Sequence, residues 1–296
     1  MRVPERIAIT GSSGLIGTAL VGHLKSEGHT VQRLVRRSPV AVDEVTWDPQ
    51  TGYVDLNALE GVDAIIHLAG APVADKRWTK KYKAEILNSR LMGTSTIAKA
   101  VSEVKPDVFI SASAIGWYGE SGNRAVVEND RAGDDFLAAI CREWEAAADL
   151  AGDVRTVKLR TGLVLDPTGG ALGKMLPLFR LGFGGKLGNG KQWWSWITLH
   201  DVVRAIDFSL VHDISGPVNL TSPNPVTNQE FTSALARALH RPALFPAPTF
   251  ALKAALGGFS SEVLGSKRVI PQALADAGFT WDYPHITETL NALVEG

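Results

Sequence analysis

Apolar residues recur at two different spacings at the start of the chain. In residues 6–10 they alternate with other residues, which predicts a short strand, and from Ile16 to Leu24 they recur at helical spacing. Between these segments, glycines spaced three apart run from Gly11 to Gly17 and predict a tight turn. The pattern therefore predicts a strand, a turn and a helix in direct succession.

Strands and helices continue to alternate up to about residue 165. The further elements predicted in this part are strands over 30–35, within the apolar run 62–71, over 107–111 and over 156–160, and helices over 86–104 and 135–150. Alternation at this spacing predicts a parallel sheet with helices on both faces, joined by right-handed crossovers.

The regular alternation of strands and helices ends after Leu165. Glycines punctuate residues 169–190, which predicts mobile loops lining a cleft, and these loops end in a tryptophan-rich run at 192–197. The remaining predicted elements are a strand over 217–219, a helix over 228–239 and helices around Val263 and Ile270. We therefore predict an α/β protein, a Rossmann-type doubly wound parallel sheet with a smaller C-terminal α+β substrate domain.

The composition narrows the class of function. Hydrophobic side chains make up 45% of the 296 residues, enough for a full core, and 30 Lys and Arg against 31 Asp and Glu give a formal net charge of −1. This balance gives no broad attraction to nucleic acid or to a membrane surface, so we expect a small-molecule partner. The single cysteine, Cys141, excludes an internal disulfide. Without a signal-peptide pattern or a bilayer-spanning apolar run, we expect a cytoplasmic protein.

The glycine spacing in the first turn is that of a dinucleotide site. Gly11 would supply the sharp turn, Gly14 would let backbone amides approach a phosphate, and Gly17 would let the helix pack closely on the sheet. A diphosphate would lie at the helix N-terminus, where free N–H groups and the helix dipole favour an anion. The alternative is a glycine-rich turn without a ligand. The predicted cofactor contacts here are Gly11, Ser13, Gly14, Leu15, Ile16 and Gly17.

The end of the second predicted strand indicates which dinucleotide is bound. Sites that prefer NAD place an acidic residue here against the ribose 2′-hydroxyl, whereas an arginine accommodates the 2′-phosphate of NADP. Val35 and Arg36 occupy this place, which favours NADP(H). The alternative is that Arg36 and Arg37 form an ordinary solvated strand end. The predicted domains are an NADP-binding domain at 1–165, completed by a segment around 199–222, and a substrate domain at 166–296.

Ligands of parallel sheets gather beyond the carboxyl ends of the strands. The small residues that end the run 62–71 leave room for a cofactor ribose or diphosphate, whereas we expect His67 to be a packed core histidine. The further predicted cofactor contacts are Leu68, Ala69, Gly70, Arg90 and Gly162.

Other chemistries find little support. Residues 185–192 imitate a P-loop, but Gln192 stands where a metal-binding Ser or Thr is required. The basic run 76–83 is interleaved with aromatic residues, and we interpret it as a solvated helix face rather than a nucleic-acid patch. We find no metal-type spacing of His or Cys and no Gly-x-Ser-x-Gly elbow, so we expect no metal site.

Taken together, the glycine turn, Arg36, His67-Leu-Ala-Gly70 and the loop from Ser113 to Gly119 resemble the extended short-chain dehydrogenase/reductase superfamily, which includes nucleotide-sugar epimerases and dehydratases. One branch, labelled epimerase-family or cell-division-inhibitor-like, is more similar. Its motifs here are Trp78-Thr, Ser89-Arg90, Ser-Ala-Ile-Gly-Trp-Tyr-Gly119, Trp144-Glu145, Gln192-Trp, Trp196-Ile, Arg268-Val-Ile-Pro271 and Ala277-Gly-Phe279. The resemblance implies a Rossmann domain that holds NADP(H), and chemistry that begins with hydride transfer assisted by a Ser or Thr, a Tyr and a Lys.

The chain departs from the superfamily at the Tyr and the Lys. In the superfamily the Tyr is the acid or base, and the Lys four residues later lowers its pKa and bonds the ribose. None of the four tyrosines here has a lysine at that spacing, and alignment on Trp144-Glu145 puts Leu137 and Cys141 in the two places. Leucine has no proton to move and a thiol is not a cation. We expect Cys141 to be a buried structural residue.

Two catalytic candidates remain. Ser113 matches the hydroxyl position that the resemblance implies, and its alternative is a serine bonded locally at a strand end. Tyr118, on a loop at the cofactor edge, is the candidate replacement proton donor, and its alternative is a structural or substrate contact. Three tryptophans have two possible roles. They line a site for a flat or sugar-like ligand, or they form core between the domains; they are Trp193, Trp194 and Trp196.

The sequence thus leaves two hypotheses of function. The first is an NADP(H)-dependent oxidoreductase or epimerase-like enzyme that acts on a carbonyl, sugar-like or aromatic small molecule, with Ser113 polarising a carbonyl and Tyr118 or water moving the proton. The second is a non-catalytic NADPH-binding or redox-sensing regulatory protein.

Overall fold

The computed structural model describes residues 3–295, and residues 1, 2 and 296 lie outside the described part. The strands are β1 (Arg6–Thr10), β2 (Thr30–Val35), β3 (Glu44–Asp48), β4 (Tyr53–Val54), β5 (Ala64–His67), β6 (Val108–Ala114), β7 (Ala125–Val126), β8 (Arg155–Thr161), β9 (Leu163–Asp166), β10 (Trp193–Trp194), β11 (Trp196–Thr198), β12 (Gly216–Leu220), β13 (Val226–Thr227) and β14 (Arg268–Val269). The α-helices are α1 (Leu15–Ser26), α2 (Lys80–Val104), α3 (Phe136–Ala148), α4 (Gly170–Arg180), α5 (Leu199–Val211), α6 (Asn228–Ala238), α7 (Thr249–Leu256), α8 (Ser260–Leu264), α9 (Gln272–Asp276) and α10 (Ile286–Glu295). Short 3₁₀ helices lie at Asn57–Leu59, Ile115–Tyr118, Asp149–Ala151 and Gly257–Phe259.

An eight-stranded sheet organises the fold. Its strand order is β12-β8-β6-β5-β1-β2-β3-β4, and every neighbouring pair is parallel except the β3–β4 hairpin. From β1 the chain continues outward to β2 and β3, and it then returns to add β5, β6, β8 and β12 on the other side. A crevice is expected at such a reversal, beyond the carboxyl ends of β1 and β5. The predicted α/β, Rossmann-type parallel sheet is confirmed.

Alternate residues of the central strands enter two separate apolar layers, because successive side chains of a strand point to opposite faces. Ile7 and Ile9 of β1 pack with α1 and α5, whereas Ala8 packs on the other face with Ile97 and Val101 of α2. Both faces of the strand are therefore buried, which explains its continuous apolar character.

The C-terminal part has an apolar cluster of its own. It joins α4, α6 and α10 around the fully buried Trp196 and Phe231. Two-stranded sheets β9–β11, β10–β13 and β7–β14 connect this part to the loops that follow β6 and β8. The division into domains at residues 165 and 166 stays a prediction, and the ends of the two predicted ranges, residues 1, 2 and 296, lie outside the described residues.

Three segments differ from the sequence-based expectation. Residues 170–180, expected to be loop, form α4, whose residues Leu172, Leu176 and Phe179 are buried at helical spacing. Residues 44–48 and 53–54 add the unpredicted strands β3 and β4. A helix expected around Ile270 is instead strand β14 followed by α9, because Arg268 and Val269 pair with β7.

None of the helices between residues 3 and 295 combines the length and the apolar character needed to cross a bilayer.

Candidate cofactor and active site

Two of the three glycines in the turn between β1 and α1 are required by the fold itself. Gly11 has φ +70°, and a Cβ there would lie 2.8 Å from backbone atoms of Leu68 and Ala69. A Cβ on Gly17 would lie 2.1 Å from the carbonyl oxygen of Gly11. The missing side chains thus allow the turn to touch the end of β5 and allow α1 to start directly above β1.

Gly14 is different, because nothing in the protein occupies the place of its side chain. A Cβ there would lie 3.4 Å from the Gly11 oxygen, at the limit of ordinary contact, and the residue is exposed. Gly14 is also the N-cap of α1, and no side chain caps the helix there. The first-turn amides of α1 therefore have no side-chain cap, which suits an anionic group such as a diphosphate.

The other predicted contacts of this turn lie around that opening. Ser13 is exposed, and Leu15 and Ile16 are half-buried. The start of α4 comes close to the same place, since a Cβ on Gly169 would lie 3.0 Å from Leu15 Cδ1. The turn thus borders the crevice expected beyond β1 and β5, and the start of α4 approaches it at Leu15.

Thr10 holds the loop after β5 against this turn. Its Oγ1 accepts hydrogen bonds from the amides of Leu68 and Ala69, at 3.2 and 3.3 Å, and shares a hydrogen bond with Nδ1 of His67 at 2.7 Å. His67 is fully buried beside Trp47, as expected for a core histidine. Burial lowers the pKa of the His67 imidazole to about 3, so the ring is neutral at physiological pH.

This buried histidine should make the protein less stable as the pH falls from about 6.5 to about 4.5. An unfolded-chain histidine has a pKa of about 6.5, whereas burial lowers the pKa of folded His67 to about 3. Below pH 6.5 or so the unfolded chain binds a proton that the folded protein excludes, so the free energy of unfolding decreases. Urea denaturation at a series of pH values in this window measures the slope.

The matched variant is His67→Asn, which keeps an acceptor for Thr10 but does not titrate. Its free energy of unfolding should vary less with pH over the same window. Equal slopes for the two proteins would contradict the assignment of the effect to His67.

The two arginines at the end of β2 have different surroundings. Arg37 donates to both carboxylate oxygens of Glu44, at 2.6 and 2.8 Å, and these bonds, with that from the Val40 amide, hold the pKa of Glu44 at about 2. Arg36 is exposed and makes no hydrogen bond or ion pair with any residue between 3 and 295. Arg36 is therefore free to meet a ligand, whereas Arg37 has a structural partner.

Arg90 and Gly162 complete the predicted cofactor contacts. Arg90 Nη1 donates to the Ala71 carbonyl at 3.0 Å and lies beside Gly70 in the loop after β5. A Cβ on Gly162 would lie 2.5 Å from the Ser195 carbonyl and 2.8 Å from Thr221 Cγ2, so this glycine is required where β8, β11 and β12 meet. Whether these residues contact a cofactor stays a prediction.

Ser113 lies at the carboxyl end of β6, and its partner is a carboxylate. Its hydroxyl donates to Glu145 Oε1 of α3 at 2.7 Å. Arg160 of β8 binds both oxygens of the same carboxylate, at 2.8 and 2.9 Å. The side chains of Glu145 and Arg160 are 6% and 2% exposed, which makes this a buried ion pair with a serine on its edge. The catalytic role of Ser113 stays a prediction.

Tyr118 belongs to the same buried network. Its hydroxyl accepts from Arg160 Nη1 at 3.0 Å and donates to Asn219 Oδ1 at 2.8 Å. The residue is 3% exposed, and burial raises the pKa of its phenol to about 12. Both hydrogen-bonding roles of the hydroxyl are therefore in use within the protein. Its catalytic role stays a prediction. Its contacts within the protein match the alternative of a structural role.

The positions that the resemblance assigns to the Tyr and the Lys are apolar. Cys141 is buried, its Sγ lies 3.6 Å from the Ala114 carbonyl, and burial raises the pKa of the thiol to about 12. Leu137 and Cys141 together pack against Gly116, where an added Cβ would lie 3.3 and 3.4 Å from them. Cys141 is thus the structural residue that the sequence predicted.

Sequence reasoning missed Glu145 and Arg160 as members of the site. No sequence signal distinguished these two residues, because α3 also carries Arg142 and Glu143, and β8 also carries Arg155 and Lys158. Trp196 and Trp194 lie where the core alternative places them, whereas Trp193 is half-buried outside the apolar cluster of the C-terminal part. Trp196 is fully buried, Trp194 packs against Phe231, and the ring nitrogen of Trp193 donates to Asn123.

In the described part of the chain one group has metal-ligand spacing, formed by His200, Asp201 and Asp282. Asp201 accepts from Arg204 and from the amides of residues 282 and 283, and Asp282 pairs with Arg204 at 3.1 Å. Arg204 already pairs with both of these carboxylates, so the group gives no support for a metal ion.

Two parts of the chain match known families. Residues 7–221 match the NAD dependent epimerase/dehydratase family, and residues 247–293 match a domain of unknown function, DUF1731. An epimerase family protein of Mycobacterium leprae is 45% identical over 290 residues, which cover 96% of this chain and 94% of the relative. Epimerase family protein SDR39U1 of Bos taurus is 35% identical over 298 residues, covering 98% and 99%. The crystal structure of human epimerase family protein SDR39U1 (isoform 2) with NADPH matches with a TM-score of 0.90 at 32% identity, covering 98% of this chain and 99% of that chain.

Proposed function

The chain belongs to the NAD dependent epimerase/dehydratase family, and from this premise we propose that it binds NADP(H) and acts as an atypical short-chain oxidoreductase or epimerase-like enzyme on a carbonyl or sugar-like small molecule. One observation carries the cofactor assignment. A glycine turn that is open only at Gly14 faces the cleft, and an unpaired arginine, Arg36, stands at the end of the adjacent strand. The presence of NADPH in the structure of the human relative supports the same cofactor here.

Arg36 provides the test of that assignment. We expect Arg36→Gln to weaken NADPH binding by about tenfold or more and to leave NADH binding unchanged, because a hydrogen bond to a charged group contributes about 1.5–3 kcal/mol. Fluorescence titration with each nucleotide measures the two dissociation constants.

The adjacent residue supplies the control. Arg37→Gln removes the same charge from a residue that already pairs with Glu44, so it should not change the ratio of NADPH to NADH affinity. A wild-type protein that binds NADH as tightly as NADPH would contradict the 2′-phosphate assignment.

We further propose a proton path that uses the chain's own residues. Bound NADP(H) would supply or accept a hydride. Ser113 gives its hydrogen to Glu145, so the lone pairs of its oxygen are free to accept a hydrogen bond from a substrate hydroxyl. Because the Tyr118 hydroxyl is already bonded on both sides, we assign proton movement to the Ser113–Glu145 pair and water. The same serine polarises a substrate carbonyl when its hydroxyl turns from Glu145 toward the cleft.

A second function, a non-catalytic NADPH-dependent regulator, is favoured by a separate observation. The places of the Tyr and the Lys hold an apolar residue and a buried neutral thiol, so the usual acid–base pair is absent. Assays of the purified protein with NADPH and a panel of carbonyl compounds and nucleotide sugars separate the two. Turnover that Ser113→Ala abolishes supports the enzyme, whereas NADPH binding without turnover across a broad panel supports the regulator.

A further inference from the structure

The guanidinium of Arg90 is a cation without a partner of opposite charge. It projects from α2, and its Nη1 donates to the carbonyls of Ala71 and Ile86 at 3.0 and 3.1 Å. Its Nε and Nη2 make no hydrogen bond with any residue in the range 3–295, and no carboxylate there forms an ion pair with it. The ionisable groups that influence it are the Cys141 thiol and the Tyr82 phenol, both of which are neutral at physiological pH because burial raises the pKa of each.

Such a charge is costly unless a ligand meets it. Arg90 is half-buried, and this burial lowers the pKa of its guanidinium. A half-buried cation with two unused nitrogen donors is typical of a residue that binds an anionic or hydroxyl-rich ligand. The side chain is also held in place, because its Cζ lies 4.6 Å from the centre of the Trp144 ring on α3.

The sheet order decides which end of a dinucleotide Arg90 would meet. β1 lies between β2, which is followed directly by Arg36, and β5, which leads into the loop that Arg90 holds. The glycine turn follows β1, so the diphosphate assigned to it lies between the two arginines. With the 2′-phosphate of the adenosine half at Arg36, the nicotinamide half extends over β5 toward Ser113 on β6.

Resting on the proposed NADP(H) binding, we propose that Arg90 is the cation of the nicotinamide half of the cofactor site: its free Nε and Nη2 bind the ribose next to the nicotinamide. Trp144, which stacks on Arg90, lies one helical turn from Cys141, the position where the superfamily carries its lysine. Arg90 thus brings a positive charge from α2 to the face of α3 that lacks one.

The affinities for two ligands distinguish a selective role of Arg90 from a general effect on the cofactor site. NADPH has both halves of the dinucleotide, whereas adenosine 2′,5′-bisphosphate has the 2′-phosphate and lacks the nicotinamide half. We expect Arg90→Gln to raise the Kd for NADPH about tenfold or more and to leave the Kd for adenosine 2′,5′-bisphosphate unchanged, as measured by isothermal titration calorimetry. Arg36→Gln should raise both.

Ser89→Ala is the matched control for loss of loop structure. Ser89 Oγ accepts the Ala71 amide at 3.2 Å, so this variant loosens the same loop and leaves the cation in place. Arg90→Gln must weaken NADPH binding more than Ser89→Ala does. If the two losses are equal, or if Arg90→Gln weakens both ligands equally or neither, the proposal is wrong.

The result for the wild-type protein distinguishes a failure of this inference from a failure of the proposed function. Failure of the wild-type protein to bind NADPH would refute NADP(H) binding itself, whereas binding that Arg90→Gln does not affect would refute only the role of Arg90. Should Arg90→Gln not fold, as judged by circular dichroism, Arg90→Lys replaces it. That variant keeps the charge but loses the planar pair of donors, so it should show a smaller loss that is still selective for NADPH.

Discussion

Gly17→Ala is expected to destabilise the protein by about 3 kcal/mol and to abolish NADPH binding. The added methyl group would lie 2.1 Å from the backbone oxygen of Gly11, and a main-chain atom at this depth cannot move aside without displacing the whole turn. Both the packing of α1 on the sheet and the shape of the turn should therefore be lost. Urea denaturation and NADPH titration measure the two effects.

Two other glycines give the controls for this experiment. Gly22 lies on the same helix with nothing within 4 Å of its missing side chain, so Gly22→Ala should stabilise the protein by about 0.4–1 kcal/mol. Gly14→Ala should leave stability nearly unchanged, since its Cβ would meet only the Gly11 oxygen at 3.4 Å, and should still weaken NADPH binding. If Gly14→Ala binds NADPH as well as the wild type does, the open face at Gly14 is not where the diphosphate lies.

Arg160→Met should lower the free energy of unfolding by about 3–5 kcal/mol, because it leaves a buried charge without its partner. The Glu145 carboxylate would lose two hydrogen bonds, and the Tyr118 hydroxyl and the Glu128 carbonyl would each lose one. Denaturation in urea without nucleotide measures the loss. A decrease below about 1 kcal/mol would contradict the view that this ion pair is desolvated.

The double variant Glu145→Gln with Arg160→Met tests the physical cause. It removes both charges, so it should be more stable than Arg160→Met alone although it carries one substitution more. An exposed pair provides the comparison. Lys76 and Glu85 lie 4.0 Å apart at the surface, and Glu85→Gln should change stability by less than about 0.5 kcal/mol.

The elements that the sequence predicted correctly are those whose pattern is local. β1, the glycine turn and α1 are specified by apolar spacing and by glycines within one short segment, and the structure has them at Arg6–Thr10 and Leu15–Ser26. The family resemblance, which rested on motifs spread along the chain, is confirmed by the matches of residues 7–221 and 247–293.

Two of the elements that the sequence missed, α4 and β14, depend on distant partners. The glycines at the start and end of α4 suggested a loop, yet its buried face packs against α6 and α10, which come much later in the chain. β3 is a short segment, and its only partners are β2 and the two residues of β4. β14 is two residues long and exists only because β7, far earlier in the chain, accepts it. Short segments without a periodic pattern carry too little local information to be assigned.

The sequence by itself determined the class of fold and the cofactor-type turn, because glycine spacing and apolar periodicity act over a few residues. It also showed that the Tyr and Lys pair is missing. Only the tertiary structure decided which charged residues are free. Arg36 and Arg37 are adjacent and alike in sequence, and Glu44 on an unpredicted strand engages one of them. Arg90 remains unpaired, while Arg160 is neutralised by Glu145. The physical reason is that electrostatic pairing and desolvation depend on side chains brought together from distant parts of the chain, which no local pattern records.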